Sequence, residues 1–472
     1  MIGSIVERQL NRVADAVLPL LLVAAMFAVL AIGIITLPGE LAKHLAGDFH
    51  HLFPSIPDHI SRQAANQVTE WTWGLIFAAV IIRHVMKRRT KAPLGFASAQ
   101  NGKYGSATWG TIAPLRVDTG LILGRESIQL TFRVNGARRG SLLRLDGEGH
   151  VLTLAATGAG KGVSCVIPNL LDHPGSVLVT DPKGENARVT AAAREAMGQR
   201  VIILDPFQLV GGQGSYNPLE GMDAYSPHVY DEAALITELL VMHEGSHSYD
   251  PFWEEEAKAL LIGLILYVVA HESWAHLGKL LELKSLPPRE FRELVERMQL
   301  SQAAGGAVKR AANDFLKKAD REQSGVLSQM SSHLHFLESP AIRMVLSHSS
   351  FDFSDLKTNR VSIYLVLPTE RLAVHRRWLR LMVGCASQAM IATAGTQEPK
   401  VLFLLDEFPN LGRLRPIEEA VTILRSYGAR FWLLAQDLPR LKAVYPASWE
   451  SFLGESLVVQ AFGVNDLFTA KY

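Results

Sequence analysis

An α/β fold built on a parallel sheet is what the patterning of this chain predicts, and three observations carry the prediction. Short apolar runs recur as strands: VLVTD at 177–181, VIIL at 201–204, VSIYLVL at 361–367, VLFLL at 401–405 and ARFWLLA at 429–435. They are too continuously apolar for a half-exposed sheet, which marks strands covered on both faces. Helical patterns separate them, so crossovers join the strands and the strands run parallel. The third observation is a strand, a glycine-rich loop, a lysine and a helix in direct succession, VLTLAATGAGKGVSCVIPNL at 151–170.

That succession is the arrangement that binds nucleotide phosphates. Glycines let the backbone curl until several N–H groups point at one anion, and the helix N-terminus adds partial positive charge. The candidate phosphate-binding residues are Thr157, Gly158, Ala159, Gly160, Lys161, Gly162 and Val163, with Lys161 reaching the β- and γ-phosphates as a point charge. Two positions depart from the pattern GxxxxGK followed by Ser or Thr. Ala155 stands in place of the first glycine, and Gly162 stands where a hydroxyl would ligate Mg2+. Ser164 is two residues on, roughly 200° around a helix, and does not replace that hydroxyl.

Far downstream, VLFLLDEF at 401–408 ends a buried strand in Asp406 and Glu407. The C-terminal end of a strand is where ligands bind in open α/β sheets. Asp406 is expected to hold Mg2+, and Glu407 to orient or deprotonate an attacking water. With Lys161, the pair predicts a P-loop ATPase that uses ATP and Mg2+.

With 472 residues the chain is expected to hold two or three domains. A hydrophobic fraction of 48% is high for a soluble enzyme and points to membrane segments. A net charge of +1 excludes a globally basic surface, so any nucleic-acid contact must be local. Cys165 and Cys385 read as small buried residues and not as a disulfide.

In chain order, residues 16–39 carry no charge and are long enough to span a bilayer. A second span is expected over 68–86, with Trp71 and Trp73 at one interface. Arg83, Lys87, Arg88, Arg89 and Lys91 mark the cytoplasmic side. Spans at about 16–37 and 68–86 put the N-terminus and the ATPase on the same side, so residues 1–91 are expected to be a transmembrane anchor. Residues 92–220 read as the first part of the nucleotide-binding domain, with a short β-rich lead-in that includes 121–123 and 127–133. Residues 221–350 read as an inserted all-α domain, and 351–472 as the second part of the nucleotide-binding domain. The run LLIGLILYVVA at 260–270 is too short for a third span and is expected to be a core helix. HEGSH at 243–247 has the zinc-protease spacing, but Gly245 and Ser246 oppose the helix which that chemistry needs, and no metalloprotease is expected.

Many further short stretches, in order, resemble one family. They are YGSA at 104–107, TGAGKGVSCVIPNLL at 157–171, DPKGE at 181–185, YNPL at 216–219 and SGVLS at 324–328. FDFSDL at 351–356, HRRWLRL at 375–381, LLDEF at 404–408, QDL at 436–438 and QAFGVND at 460–466 follow. The chain is similar to the type IV secretion system coupling proteins, the TraG/VirD-like membrane ATPases of conjugative DNA transfer. The resemblance implies a RecA-like motor domain in a homo-hexamer, multi-pass in the bacterial inner membrane with the ATPase domain cytoplasmic. It implies the secretion channel components as partners, and relaxase-bound single-stranded DNA, protein effectors or both as cargo driven by ATP hydrolysis. Arg425, in ILRSYG at 423–428, resembles an arginine finger given in trans to a neighbouring subunit, and Gln436 resembles the γ-phosphate sensor; both would join Glu407 in catalysis. The helical insert would recognise cargo at the cytoplasmic mouth. Family members usually continue past the strand matching LVVQAF at 457–462, so the second part of the nucleotide-binding domain is expected to be C-terminally short. The alternative, motivated by Gly162, is a substrate-docking receptor with little ATP turnover.

Overall fold

The structure, a computed structural model, describes residues 118–125, 142–147, 149–241, 251–395, 399–414, 417–418, 421 and 423–472. The expected spans at 16–37 and 68–86, the stretch at 127–133 and HEGSH at 243–247 lie outside the described residues. Among the described residues, no helix is long and apolar enough to cross a membrane.

Strands β1 (Leu121–Arg125) and β2 (Leu142–Leu145) form a two-stranded antiparallel ribbon of their own. Seven strands form the main sheet: β3 (His150–Ala155), β4 (Val177–Asp181), β5 (Arg200–Leu204), β6 (Val361–Val366), β7 (Val401–Leu405), β8 (Ala429–Ala435) and β9 (Ser456–Phe462). Their order is β5-β6-β4-β7-β8-β3-β9, and every neighbouring pair is parallel. The continuous apolar runs have a direct cause. In β7, Leu402 and Leu404 enter one apolar cluster, while Val401, Phe403 and Leu405 enter another on the opposite face. Both faces are covered, so alternation disappears from the sequence. β9 lies at the end of the strand order and does alternate: Leu457 and Val459 are exposed.

Helices α1 (Ile167–Asp172) and α2 (Glu185–Ala196) lie on the face with Leu402 and Leu404. The other face carries a much larger helical layer. β5 and β6 are neighbours in the sheet, yet residues 205–360 lie between them, so this layer is one long crossover. It contains α3 (Val229–Leu240), α4 (Pro251–His271), α5 (Leu277–Lys284), α6 (Pro288–Met298), α7 (Ala303–Leu316), α8 (Asp320–Leu334), α9 (Pro340–Val345) and α10 (Asp355–Thr358). After β6 comes α11 (Thr369–Ala392); α12 (Leu438–Val444) and α13 (Trp449–Gly454) follow β8, and α14 (Leu467–Lys471) follows β9.

Local sequence explains these helices. α6 starts at Pro288 and buries Phe291, Leu294, Val295 and Met298, the spacing of one helical stripe. α4 is apolar on nearly all sides because α3, α7 and α8 pack around it, which makes LLIGLILYVVA a core helix. In α7, Ala304, Gly305 and Gly306 are left-handed, so regular helix begins only at Ala307.

Two buried polar residues join the layers. Arg194 of α2 is fully buried, and burial pulls its pKa down to about 10. Its guanidinium donates to Ser362 Oγ at 2.8 Å, Gln199 Oε1 at 2.7 Å, Gly175 O at 2.5 Å, Leu170 O at 3.1 Å and His173 O. One side chain thereby gathers the end of α1, the approach to β4, and β6. His150 starts β3. Its Nδ1 accepts the Phe431 N–H at 3.0 Å and its Nε2–H donates to Val421 O at 2.6 Å, so the ring is neutral.

Arg194→Met removes five hydrogen bonds, though Gly175 O keeps Gln199 Nε2 and Gln199 Oε1 keeps Ser362 Oγ, and is expected to cost about 3–5 kcal/mol in urea unfolding. Burial holds the pKa of both His150 and His173 at about 4, against 6.5 when unfolded. The unfolded chain therefore binds more protons between these values, and stability falls as pH is lowered. The expected slope is about 1.4 kcal/mol per pH unit for each histidine across that window, and His150→Gln should remove one share of it.

Candidate nucleotide-binding site

β3 ends at Ala155, and the loop beyond it turns through two left-handed glycines, Gly158 (φ 80°) and Gly160 (φ 88°). A Cβ at either would meet nothing within 4 Å. Glycine is therefore required there by backbone conformation and not by crowding. The Ala159 N–H donates to Ala156 O at 3.1 Å and closes the turn. Lys161 then opens a wide π turn over Gly162–Val166, which leads into α1. Ser164 Oγ donates back to Gly160 O at 2.7 Å, so it is engaged away from the position of the missing hydroxyl. Gly162 is not left-handed, and a Cβ on it would meet nothing within 4 Å.

β8 lies between β3 and β7, with Leu154 beside Ala435 and Leu405 beside Leu433. Leu433 also lies beside Leu152, so β7 stops two residues short of the end of β8 and three short of the end of β3, and the residues that follow the three strands meet at one edge of the sheet. Lys161 Nζ lies 2.5 Å from Glu407 Oε1 and 3.4 Å from Asp406 Oδ1. Glu407 Oε2 accepts from Gln436 Nε2 at 2.9 Å. Glu407 itself is left-handed (φ 54°, ψ 40°), which costs a non-glycine residue about 1–2 kcal/mol. Strain of this kind persists where the surroundings over-determine the conformation. Here Asp406 Oδ1 accepts the Glu407 N–H at 3.0 Å, and Thr180 Oγ1 from β4 donates to Asp406 O at 3.1 Å.

Burial raises the Asp406 pKa, Lys161 lowers it, and the neighbouring Glu407 raises it again. A carboxyl in that position gains from a further cation. It is also a hard oxygen donor, as Mg2+ prefers, and Mg2+ is commonly held by one or two carboxylates with phosphates and water completing the shell. No cluster of three or more metal-binding side chains occurs among the described residues. The donor set fits Mg2+ brought in with a nucleotide.

The structure thus brings together Lys161, Asp406, Glu407 and Gln436, with Thr157 through Val163 around the lysine. It leaves Arg425 apart. Arg425 is exposed in the turn before β8, and its carbonyl accepts from Lys400 Nζ at 3.2 Å. Gln436 follows the other end of this seven-residue strand, so the two are about 20 Å apart. Arg425 cannot reach the site of its own chain. Sequence reasoning missed Thr180, although the strand ending VLVTD offered a signal. It also missed Asn169, whose side chain accepts from Ile122 N at 2.7 Å and donates to Ile122 O and Cys165 O, both at 2.8 Å. Asn169 thereby holds β1 against the helix that follows the glycine loop.

A strand-borne glycine loop with its lysine, facing an acidic pair two strands away in a parallel sheet, places this chain in the P-loop class of α/β proteins. Residues 119–472 match the family model for type IV secretory system conjugative DNA transfer, and the chain belongs to that family of coupling proteins. It is 29% identical over 351 residues to the conjugal transfer protein TraG of Escherichia coli, covering 70% of this chain and 55% of TraG. It is 30% identical over 340 residues to VirD4 of Agrobacterium fabrum strain C58, covering 71% of this chain and 50% of VirD4. The chain thus spans about half the length of these relatives. The fold is similar to that of the conjugative coupling protein TrwB in complex with ADP and Mg2+, with a TM-score of 0.53 and 15% identity over 68% of this chain and 72% of that one. Unbound TrwB gives 0.52 at 16% identity, over 68% and 70%.

Because the space at Gly162 is open, Gly162→Ser is expected to leave the melting temperature unchanged. It should lower the Mg2+ concentration needed for half-maximal nucleotide binding by about three- to tenfold, read by calorimetric titration.

Proposed function

We propose that this chain is a coupling ATPase that binds ATP with Mg2+ and uses hydrolysis to drive cargo into a type IV secretion channel. One observation supports the reading above all others: Lys161, Asp406, Glu407 and Gln436 converge at the ends of three adjacent parallel strands. In this reading the backbone from Thr157 to Val163 and the Lys161 ammonium bind the phosphates. Asp406 holds Mg2+, which supplies charge neutralisation on the phosphate oxygens when bound. Glu407 accepts a proton from the attacking water, and Gln436 donates to the γ-phosphate. Lys161 must leave Glu407 for the phosphates, which frees that carboxylate for water.

Arg425 would serve the site of a neighbouring subunit, since its distance from its own site leaves no role in cis. That role calls for a ring, and a homo-hexamer is the assembly proposed. Residues 1–91 would anchor the chain in the bacterial inner membrane. Residues 92–220 and 351–472 would form the cytoplasmic motor, and the helices over 221–350 would meet the relaxase-bound single strand, protein effectors or both. Membership of the conjugative DNA transfer family and the likeness to TrwB, which binds ADP with Mg2+, support this reading. A docking receptor with little turnover is the second reading, and Gly162 is the feature that favours it.

ATP hydrolysis by the purified protein, with and without single-stranded DNA, tests both. Lys161→Ala and Glu407→Gln are each expected to lower turnover by about 10²–10³-fold, with Glu407→Gln still binding nucleotide. Turnover that survives Lys161→Ala would overturn the motor reading. A wild-type protein that binds ATP without measurable turnover would favour the receptor.

A further inference from the structure

QDL at 436–438 and QAFGVND at 460–466 are separate in sequence and are joined in the structure. β9 ends at Phe462, which lies beside Ala155 in the register with β3. Gly463 follows in the left-handed region (φ 61°), and a Cβ on it would sit 2.6 Å from Ala159 Cβ. The backbone of Gly463 therefore rests directly on the glycine-rich loop. Asp466 Oδ1 accepts the Thr469 N–H at 2.7 Å and starts α14. Thr469 is buried, and its Oγ1 accepts the Leu438 N–H at 2.9 Å. Leu438 opens α12 two residues after Gln436, and the intervening Asp437 accepts the Arg440 N–H at 2.8 Å. An unbroken path thus runs from Ala159 through Gly463, Asp466 and Thr469 to Leu438 and Gln436. It crosses the end of β3, which lies between β8 and β9.

This path has a physical consequence for a bound nucleotide. The sheet fixes the ends of β3 and β8 relative to each other, but the loop from 156 to 161 projects beyond the sheet. Lys161 and Gln436 must both reach the same γ-phosphate, so the loop needs a second tether. We propose that the turn Gly463–Thr469 is that tether, a strut that sets the spacing between the phosphate-binding loop and the Gln436 amide. Gly463 and Thr469 are then positioning residues: Gly463 sets the height of the loop and Thr469 sets the start of α12. The inference rests on the nucleotide reading above.

The test uses the full-chain protein, titrated with fluorescent ADP and with a non-hydrolysable ATP analogue, beside steady-state ATP hydrolysis. Gly463→Ala is expected to weaken both nucleotides about tenfold, because a small misplacement in such a site is costly. Adding Ala159→Gly removes the atom that the new methyl meets and should recover part of the loss, the left-handed strain of the alanine remaining. Thr469→Val should leave ADP affinity within about twofold, lower kcat about tenfold and erase the preference for the triphosphate analogue. Thr469→Ser, which keeps the acceptor, should restore both. The strut is overturned if Gly463→Ala binds like wild type, or if Ala159→Gly fails to rescue it. It is equally overturned if Thr469→Val weakens ADP and the analogue alike while its melting temperature drops. Should Gly463→Ala show no folding transition, the Thr469 pair decides alone. A wild-type protein that binds no nucleotide brings down the nucleotide reading and the strut together; wild-type binding with unaltered variants brings down the strut only.

Discussion

A lysine ammonium held against two carboxylates joins residues 246 positions apart in the chain, and the rest of the site is arranged around that contact. It forms because β3, β8 and β7 run parallel and carry their following residues to the same edge of the sheet. A shift of one residue in either register would move Lys161 or Glu407 by about 3.3 Å and reverse the face of every side chain on that strand. The Lys161 and Asp406 side chains are only 13% and 18% exposed, so their attraction is weakly screened and separating them in place would be costly. The ion pair therefore needs a replacement partner before it opens, and a polyphosphate with its cation is such a partner.

The sheet is kept in register by more than strand pairing. Arg194 binds backbone carbonyls around the start of β4 and the side chain of Ser362 on β6. His150 ties β3 to Phe431 of β8 and to Val421. Thr153 accepts from Trp432 Nε1 and donates to Gln460, which donates in turn to Leu123 O of β1. Each is a buried polar group with its partners supplied, so each fixes geometry where apolar packing alone would tolerate sliding. The Arg194 and His150 ties lie at the starts of the strands, the end opposite the glycine-rich loop, and the Thr153 tie lies within β3.

The long crossover between β5 and β6 shares the apolar cluster of one sheet face. Leaving the sheet after β5 and returning at β6 places a large helical surface beside the sheet without interrupting the strands that carry the site. The glycine-rich loop leads instead into α1, which with α2 covers the opposite face. The helical surface and the convergent residues Lys161, Asp406, Glu407 and Gln436 therefore draw on different parts of the chain.

The strands and the chemistry of the loop were legible in the sequence because they depend on local rules. Continuous apolar runs identify strands buried on both faces, and a run of small residues and glycines ending in a lysine identifies the tight turn between strand and helix. The Asp406–Glu407 pair was recognisable for the same reason, as charge at the end of a buried strand. The strand order, the left-handed backbone of Glu407 and the partners of Arg194 were not legible. Each depends on which distant segments become neighbours, and hydrophobic burial brings them together without leaving a periodic signal. Gly463 shows the limit most clearly: in sequence it is one glycine near a strand end, and only tertiary packing against Ala159 leaves no space there for a side chain.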